Sequence, residues 1–293
     1  MPEMPTMKAL VLEEYKRLVL KDVPRPALRS PDDVIVRVKA VAVCGSDVHG
    51  WDGSTGRRKT PLIMGHEAAG EIVEAGADVR NFRVGDRVTF DSTEWCGQCW
   101  HCKRGEVNLC DDRRVLGVSP GDWKRDGAFA EYLVVPERIL FKLPDSIDYV
   151  RASLAEPCAV AAHAVAITPL AEGETVAVVG TGLIGLLLVS ILRASGAGTI
   201  IALDTQEDRR GAALDFGADF PMLVNAQIIE EQPGVLLELE KIVTLDDFPF
   251  LRDYALGTSQ LSFAHPDLRG LTILALVSGM ELIRRIEGAE AFA

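Results

Sequence analysis

Long apolar runs are scarce in this sequence of 293 residues. The two longest, Leu183 to Leu192 and Leu271 to Val277, are shorter than the roughly 20 residues that a membrane-spanning helix needs. The opening segment, Met1 to Lys8, is polar and contains proline, so it lacks the apolar core of a secretory signal. These two absences predict a cytoplasmic protein with no membrane partner.

Positively charged residues are fewer than negatively charged ones. The chain carries 31 Lys and Arg against 43 Asp and Glu, which gives a net charge of -12. On electrostatic grounds this balance predicts no nucleic-acid partner and no anionic membrane partner. The composition is otherwise ordinary for a globular enzyme, without internal repeats or low-complexity tracts, and the length suffices for two domains with their own cores.

Cysteine is sparse except in one place. Of the six cysteines, four crowd into a short stretch as Cys96-x-x-Cys99-x-x-Cys102 and, a little later, Cys110. In a chain that is not exported, such crowding indicates metal binding rather than disulfides. Four converging thiolates make a closed tetrahedral zinc site with a structural role. The alternative is four scattered free thiols, which this spacing disfavours.

The first half of the chain reads as β-structure. Prolines interrupt it so often that no long helix fits, and alternating or β-branched residues predict short strands. We expect a small, irregular β-barrel domain over residues 1–150, with functional residues on its loops. The predicted strands lie within 34–43, 68–76, 84–90 and 128–135.

A nucleotide-binding pattern opens the second half. A helix is predicted over Ala152 to Ile167, and a short strand over Thr175 to Val179. A loop follows that carries Gly180, Gly182, Leu183, Ile184 and Gly185, and it opens a helix running to about Ser195. A glycine motif is weak evidence alone, but between a strand and a helix it indicates a loop that cradles a dinucleotide.

Asp204 ends the next predicted strand, which begins at Thr199. A carboxylate there can accept hydrogen bonds from the adenosine ribose and would repel a 2′-phosphate, so NAD is predicted over NADP. Residues 151–225 therefore read as the first half of a Rossmann domain.

Beyond Asn225 the pattern is atypical. Residues 228–243 look helical but are broken at Pro233, 271–277 could be one parallel strand, and 278–292 a closing helix. We expect 226–293 to pack on the Rossmann part without completing it.

Two short motifs in the first half carry candidate chemistry. Cys44 begins a loop that also holds Ser46 and His49, and Gly65-His66-Glu67 follows after a turn-rich gap. Thiolate binds zinc well, and a nearby hydroxyl and imidazole can carry a proton away. A lone cysteine is more often a small buried residue, so the joint occurrence of the motifs matters.

These motifs, together with Val84-Gly-Asp-Arg-Val and the four-cysteine stretch, resemble the zinc-dependent medium-chain alcohol dehydrogenases, most closely the sorbitol and threonine dehydrogenase branch. The resemblance runs from about Met7 to about Ala226. It implies an α/β protein with an all-β part, in which a GroES-like β-barrel catalytic domain precedes a Rossmann domain. The atypical residues after Asn225 predict that this Rossmann domain is incomplete.

The resemblance also implies residue roles. Cys44 and His66 would ligate a catalytic zinc, with Glu67 as a ligand or a water-mediated neighbour. Glu156 would supply the carboxylate ligand of the polyol branch. Asp47 would fix a ligand imidazole, and Ser46 and His49 would relay the proton. At the cofactor, Ile184 would offer a backbone contact and Arg209 would lie at the adenosine end, unless Arg209 is a surface charge.

The expected function is oxidation of a polyol, sugar alcohol or related secondary alcohol, with hydride passing to NAD. Two zinc ions are expected per chain, one catalytic and one structural. The expected partner is a small-molecule alcohol, and the resemblance implies further copies of the chain, as a dimer or tetramer. The alternative is a shortened, non-catalytic relative that serves as a zinc-stabilised binding or assembly module.

Overall fold

The computed structural model describes residues 5–168 and 170–223, and the backbone of three further strands at 227–232, 236–240 and 271–275. The chain divides into two units, Met1–Pro157 and Cys158–Ala293. The first unit holds the candidate metal residues, and the second holds the glycine-rich loop.

Antiparallel sheets build the first unit. A five-stranded sheet has the order β10-β6-β5-β3-β9, a three-stranded sheet has the order β2-β1-β4, and β7 pairs with β8. The strands are β1 (Thr6–Glu14), β2 (Arg17–Pro24), β3 (Asp33–Ala42), β4 (Leu62–Ile63), β5 (Glu67–Ala75), β6 (Arg87–Phe90), β7 (Thr93–Glu94), β8 (Arg114–Val115), β9 (Tyr132–Pro136) and β10 (Leu140–Lys142).

The two larger sheets close on one another through main-chain hydrogen bonds. Leu10 N donates to Phe129 O at 2.8 Å, and Glu131 N donates to Lys8 O at 3.0 Å, so β1 is tied to the segment that leads into β9. Val34 and Val36 of β3 are fully buried in the core beneath the five-stranded sheet. The β-barrel predicted for this half is confirmed.

Short helices connect the strands of the first unit: α1 (Gly45–Asp52), α2 (Trp100–Lys103) and α3 (Tyr149–Ala152), with 3-10 turns at Val107–Leu109, Gly121–Trp123 and Glu137–Ile139. The prediction of a loop after Cys44 is wrong, because α1 begins there. Cys44 caps this helix: Asp47 Oδ2 accepts from Cys44 N at 3.1 Å, which is the reciprocal half of a capping box.

The second unit is a parallel sheet with helices. Its elements are α4 (Ala155–Ile167), which begins at the boundary, β11 (Thr175–Val179), α5 (Leu183–Ala194), β12 (Ile200–Asp204), α6 (Glu207–Asp215), β13 (Phe220–Leu223) and β16 (Leu271–Ala275). The strand order is β13-β12-β11-β16, and every pairing is parallel. This is the 3-2-1-4 order of the Rossmann fold.

The region beyond residue 225 brings one confirmation and one correction. A parallel strand was expected within 271–277, and β16 lies there beside β11. A helix-like segment was expected over 228–243, and this is wrong: β14 (Gln227–Gln232) and β15 (Leu236–Glu240) form an antiparallel hairpin. In the sequence Pro233 and Gly234 separate these strands, and both residue types disfavour one continuous helix. The closing helix expected over 278–292 lies outside the described residues.

Across the part of the chain that the structure describes, no helix combines the length and apolarity needed to cross a bilayer.

Candidate active site

Three side chains of the first unit bring metal-ligating atoms together. One atom each from Cys44, His66 and Glu67 lies within 4.8 Å of the others. Cys44 stands at the N-cap of α1, while His66 and Glu67 stand at the start of β5. One thiol, one imidazole and one carboxylate form the mixed donor set that protein zinc sites use.

Glycine packing fixes the backbone that presents His66. Gly65 has φ +93°, and a Cβ there would lie 2.6 Å from a Phe129 ring carbon. From the other side, Ala128 N donates to Gly65 O at 2.8 Å, and a Cβ on Gly127 would lie 2.2 Å from that same oxygen. A side chain at either Gly65 or Gly127 would clash with the facing segment. The need for glycine at position 65 gives a physical reason for the Gly-His-Glu motif.

The electrostatics of this group favour a bound cation. Burial alone would lower the pKa of His66, but the Asp47 carboxylate and the Cys44 sulfur outweigh burial and raise the pKa to about 10. Burial raises the pKa of Glu67, whose carboxyl group is almost fully enclosed. Glu67 Oε2 is buried, and the described contacts give it no hydrogen bond. A buried carboxylate oxygen without a partner, next to a thiol and an imidazole, is what a metal ion would satisfy, so these residues fit zinc.

A buried polar network stands behind the group. Asp47 Oδ1 lies 3.5 Å from His66 Nδ1 and accepts from Arg58 Nη2 at 3.2 Å. Arg58 Nη2 also donates to Ser46 Oγ at 3.1 Å, and that hydroxyl lies 3.4 Å from His66 Nε2. Asp47 was expected beside a ligand imidazole. Arg58 was missed, because nothing in the sequence distinguishes it from Arg57 next to it.

Glu156 lies near Cys44, His66 and Glu67 but is not one of the residues whose ligand atoms converge. Ser92 Oγ donates to Glu156 Oε1 at 3.2 Å. Burial raises the pKa of Glu156, and the charge of His66 opposes that rise, so the two side chains are within electrostatic range. The three-residue group does not include Glu156. Its role as a ligand stays a prediction, and Ser92 is a second neighbour that the sequence did not reveal.

His49 lies at the surface end of α1 and is exposed. Its Nδ1 is 3.3 Å from Ser54 Oγ, and the described contacts do not join it to Ser46. The structure therefore places Ser46 against the buried network and His49 at the solvent side of the same helix.

The four clustered cysteines converge in a separate part of the first unit. Their sulfurs lie within 4.8 Å of one another, as a tetrahedral metal site requires. Backbone N–H groups point at these sulfurs: Gln98 and Cys99 lie 3.5 and 3.4 Å from Cys96 Sγ and lower the pKa of that thiol to about 7. Burial raises the pKa of Cys102 to about 12. The donor set is the closed four-thiolate type that fits zinc.

The glycine-rich loop of the second unit joins β11 to α5. Gly180 has φ +88°, and a Cβ on Gly185 would lie 1.9 Å from Gly180 O, so the helix packs directly on the strand end. Gly182 caps α5 without a side-chain hydrogen bond, and Leu183 and Ile184 open the first turn. Free N–H groups at a helix start bind phosphate well.

Asp204 ends β12 beside this loop. Its Oδ2 accepts from Thr181 N at 2.8 Å, and its Oδ1 accepts from Gln206 N at 2.9 Å. Burial would raise the pKa of Asp204, but these N–H groups and the Arg209 charge outweigh burial and lower the pKa. Arg209 Nη1 lies 3.9 Å from Oδ2. The carboxylate is therefore charged at neutral pH, beside the helix start.

Comparison with known proteins bears on both units. The family model described as alcohol dehydrogenase GroES-like domain matches residues 30–145. The chain is 41% identical over 243 residues to the sorbitol dehydrogenase of Bacillus subtilis (strain 168), covering 82% of this chain and 65% of that protein. It is 35% identical over 254 residues to the Aspergillus niger protein named Probable D-xylulose reductase A. This match covers 86% of this chain and 68% of that protein.

The chain belongs to the zinc-dependent medium-chain alcohol dehydrogenase family. Its fold also matches a protein solved with bound cofactor, described as a short chain alcohol dehydrogenase from Escherichia coli CFT073 complexed with NADH. The TM-score is 0.69 at 34% identity, over 75% of this chain and 63% of that chain. Against the Bacillus relative, this dehydrogenase-family chain spans just under two thirds of the length. The activity of the whole relative is therefore a proposal for this chain.

Proposed function

We propose that the chain is a zinc-dependent oxidoreductase that transfers a hydride from a polyol, sugar alcohol or related secondary alcohol to NAD. The observation that carries this proposal is the convergence of Cys44, His66 and Glu67, with the buried Glu67 Oε2 lacking a partner, in a chain that also holds a Rossmann glycine loop. Relatives named for sorbitol and D-xylulose support the polyol class.

Cys44, His66 and Glu67 are proposed to hold the catalytic zinc, with Glu156 as a further ligand. Zinc in such a site acts as a Lewis acid on an alcohol oxygen. Asp47 orients His66 from behind, because its carboxylate lies 3.5 Å from the ring nitrogen. A carboxylate in this position is a common support for a ligand imidazole.

Ser46 and His49 are proposed to move the proton released by the alcohol. The Ser46 hydroxyl accepts from Arg58 and lies 3.4 Å from His66 Nε2, so it stands beside a proposed ligand of the zinc. His49 is exposed, so it can pass a proton to water. Ser46 would take the proton first, and His49 would deliver it to solvent.

The second unit is proposed to bind the cofactor. Gly180, Gly182 and Gly185 let the backbone approach the pyrophosphate, and the first turn of α5, with Leu183 and Ile184, presents free N–H groups. Asp204 would bind the adenosine ribose and disfavour a 2′-phosphate, and Arg209 would lie against the adenosine end. This favours NAD over NADP.

Cys96, Cys99, Cys102 and Cys110 are proposed to hold a structural zinc. We assign residues 1–150 to the catalytic domain, 151–225 to the first half of the cofactor domain and 226–293 to a segment packed on it. We further propose that the protein is a cytoplasmic homo-oligomer, a dimer or tetramer. Its mass measured by light scattering at working concentration tests the oligomer.

Zinc analysis combined with NAD reduction over sorbitol, xylitol and 2,3-butanediol tests the function. We expect two zinc ions per chain and turnover with at least one polyol, and D-xylulose reduction by NADH in the reverse direction. Cys44→Ser should remove one zinc and abolish turnover, while Cys158→Ser, outside both cysteine groups, should change neither. Two bound zinc ions with no turnover on any alcohol would contradict the proposal and favour a non-catalytic binding module.

A further inference from the structure

Arg58 is a fully charged side chain with almost no access to solvent. It is 2% exposed, whereas its neighbour Arg57 is exposed. Burying a guanidinium is unfavourable unless charged or hydrogen-bonding partners compensate it. The groups that pair with the buried guanidinium should therefore indicate the role of Arg58.

The partners of Arg58 lie on the helix that begins at Cys44. Its Nη2 donates to Asp47 Oδ1 at 3.2 Å and to Ser46 Oγ at 3.1 Å. Asp47 is itself 2% exposed, and its other oxygen accepts from the Cys44 backbone N. One buried carboxylate thus touches the backbone of one proposed zinc ligand, the imidazole of another and the guanidinium.

The surrounding chain is shaped to admit this side chain. A Cβ on Gly50 would lie 2.0 Å from Arg58 Cδ and 2.4 Å from Nε, so α1 leaves room for the arginine only because this position is glycine. Tyr15 Oη donates to Arg58 O at 2.8 Å and holds its backbone. The backbone of Arg58 is held by Tyr15, and its side chain packs against Gly50 on the way to Asp47.

We propose that Arg58 is a positioning residue of the metal site, which acts by holding the buried Asp47 carboxylate against His66. The inference rests on the proposed function in one respect, namely that Cys44, His66 and Glu67 bind zinc. Arg58 touches no proposed ligand atom. It compensates the charge of Asp47, and Asp47 sets the orientation of the imidazole.

Zinc affinity, measured by chelator competition on the zinc-loaded protein, tests this without turnover. Arg58→Met keeps the length and removes the charge and donors. It should weaken one zinc about 10- to 100-fold, the range seen when a ligand loses its supporting partner. The zinc of the four-cysteine site, in the same chain, should keep its affinity. Arg58→Lys should recover part of the lost zinc affinity, because lysine restores the positive charge but not the planar set of guanidinium N–H donors.

Arg57→Met is the matched control, since it removes the same charge one position away, and it should leave both zinc affinities unchanged. Arg58→Met with both zinc affinities at their original values would overturn the proposal. So would an equal loss in Arg57→Met. A failure of NAD turnover alone would overturn the proposed function and leave this inference standing.

A double-mutant cycle covers the case in which Arg58→Met does not fold. Asp47→Asn removes the buried negative charge. The double variant Asp47→Asn/Arg58→Met therefore has no unpaired charge buried at these two positions. Asp47→Asn alone should weaken the same zinc, and adding Arg58→Met should change its affinity by less than about threefold, because Arg58 acts through Asp47. A further tenfold loss in the double variant, or unchanged zinc affinity in Asp47→Asn, would refute the mechanism.

Discussion

At the scale of single residues, the four-cysteine site makes the sharpest prediction. Cys99 caps α2 with its side chain, and Cys102 N points at its sulfur at 3.5 Å. A structural zinc contributes its binding free energy directly to folding. Cys99→Ser should therefore lose one zinc and lower the melting temperature, as measured by metal analysis and thermal unfolding.

Cys158→Ser serves as the control, because Cys158 is a free cysteine outside both groups. It should keep two zinc ions and the original melting temperature. Full metal content and an unchanged melting temperature in Cys99→Ser would show that these four thiols do not bind zinc.

His49 allows the proton relay to be separated from metal binding. We expect His49→Ala to keep both zinc ions and to slow alcohol oxidation by roughly 100-fold near neutral pH, the low end for a lost acid–base group. The deficit should shrink as pH rises, since hydroxide can then take the proton. The measurement is a pH profile of turnover beside zinc content, with the exposed His163→Ala as control. Loss of zinc in His49→Ala would instead mark it as a ligand.

Asp204 makes a prediction about cofactor choice. Asp204→Asn keeps an oxygen for the Thr181 N–H bond but removes the negative charge. The preference for NAD over NADP should narrow by about tenfold, which is about 1.4 kcal/mol. Calorimetric titration with both cofactors measures it. An unchanged preference would mean that another residue excludes the 2′-phosphate.

Residues differ in how far the sequence can reveal them. Cys44, His66 and the four clustered cysteines carry chemistry in their side-chain type, so spacing alone pointed to metal. The residue type of Arg58 does not indicate a role. Its role follows from its burial against Asp47, a contact that exists only in the folded chain. Ser92 is similar, because its hydrogen bond to Glu156 joins positions far apart in sequence.

At the scale of elements, the turn from β11 into α5 depends on a close backbone approach. Gly185→Ala would place a methyl carbon 1.9 Å from Gly180 O, so the helix must shift. Overpacking of this kind costs about 1–3 kcal/mol. We expect Gly185→Ala to lower stability by that amount and to weaken NAD binding, as measured by urea unfolding and calorimetry.

Gly211, inside α6, offers the matched control. A Cβ there meets nothing within 4 Å. Because alanine favours the helix over glycine, Gly211→Ala should stabilise the protein by about 1 kcal/mol and leave NAD affinity unchanged. If both variants bound NAD as the original does, the glycine loop would not be the pyrophosphate site.

Elements with one dominant local signal were predictable. β11 has apolar, β-branched residues, and α5 follows a glycine loop, so both were placed close to their observed bounds. The segment over 228–243 was not, because its apolar residues fit either a helix or a strand over so short a run. A proline followed by a glycine at 233 and 234 disfavours one continuous helix there. The helix α1 was missed because its start signal is a cysteine, an unusual N-cap.

At the scale of the whole molecule, the adenosine half of the proposed cofactor site would lie within residues 175–223. ADP-ribose carries the groups that this half would recognise, namely adenosine and pyrophosphate. We therefore expect ADP-ribose to displace NAD from the protein in a competition titration, and to inhibit polyol oxidation competitively against NAD. Displacement of NAD by nicotinamide mononucleotide but not by ADP-ribose would contradict this assignment.

The position of β16 has a consequence for how the chain folds during synthesis. Thr175 of β11 pairs with Leu271, about 100 residues later in the sequence. At about 5–20 residues per second, a ribosome takes about 5–20 s to supply that partner. During this interval β12 and then β13 emerge and can pair on one side of β11, while its other edge stays open. Val176 and Val178 belong to this strand, and an open apolar edge invites pairing with other chains. The nascent protein would therefore be most prone to aggregate after β13 emerges and before β16 arrives, which makes that interval the one in which a chaperone would matter most.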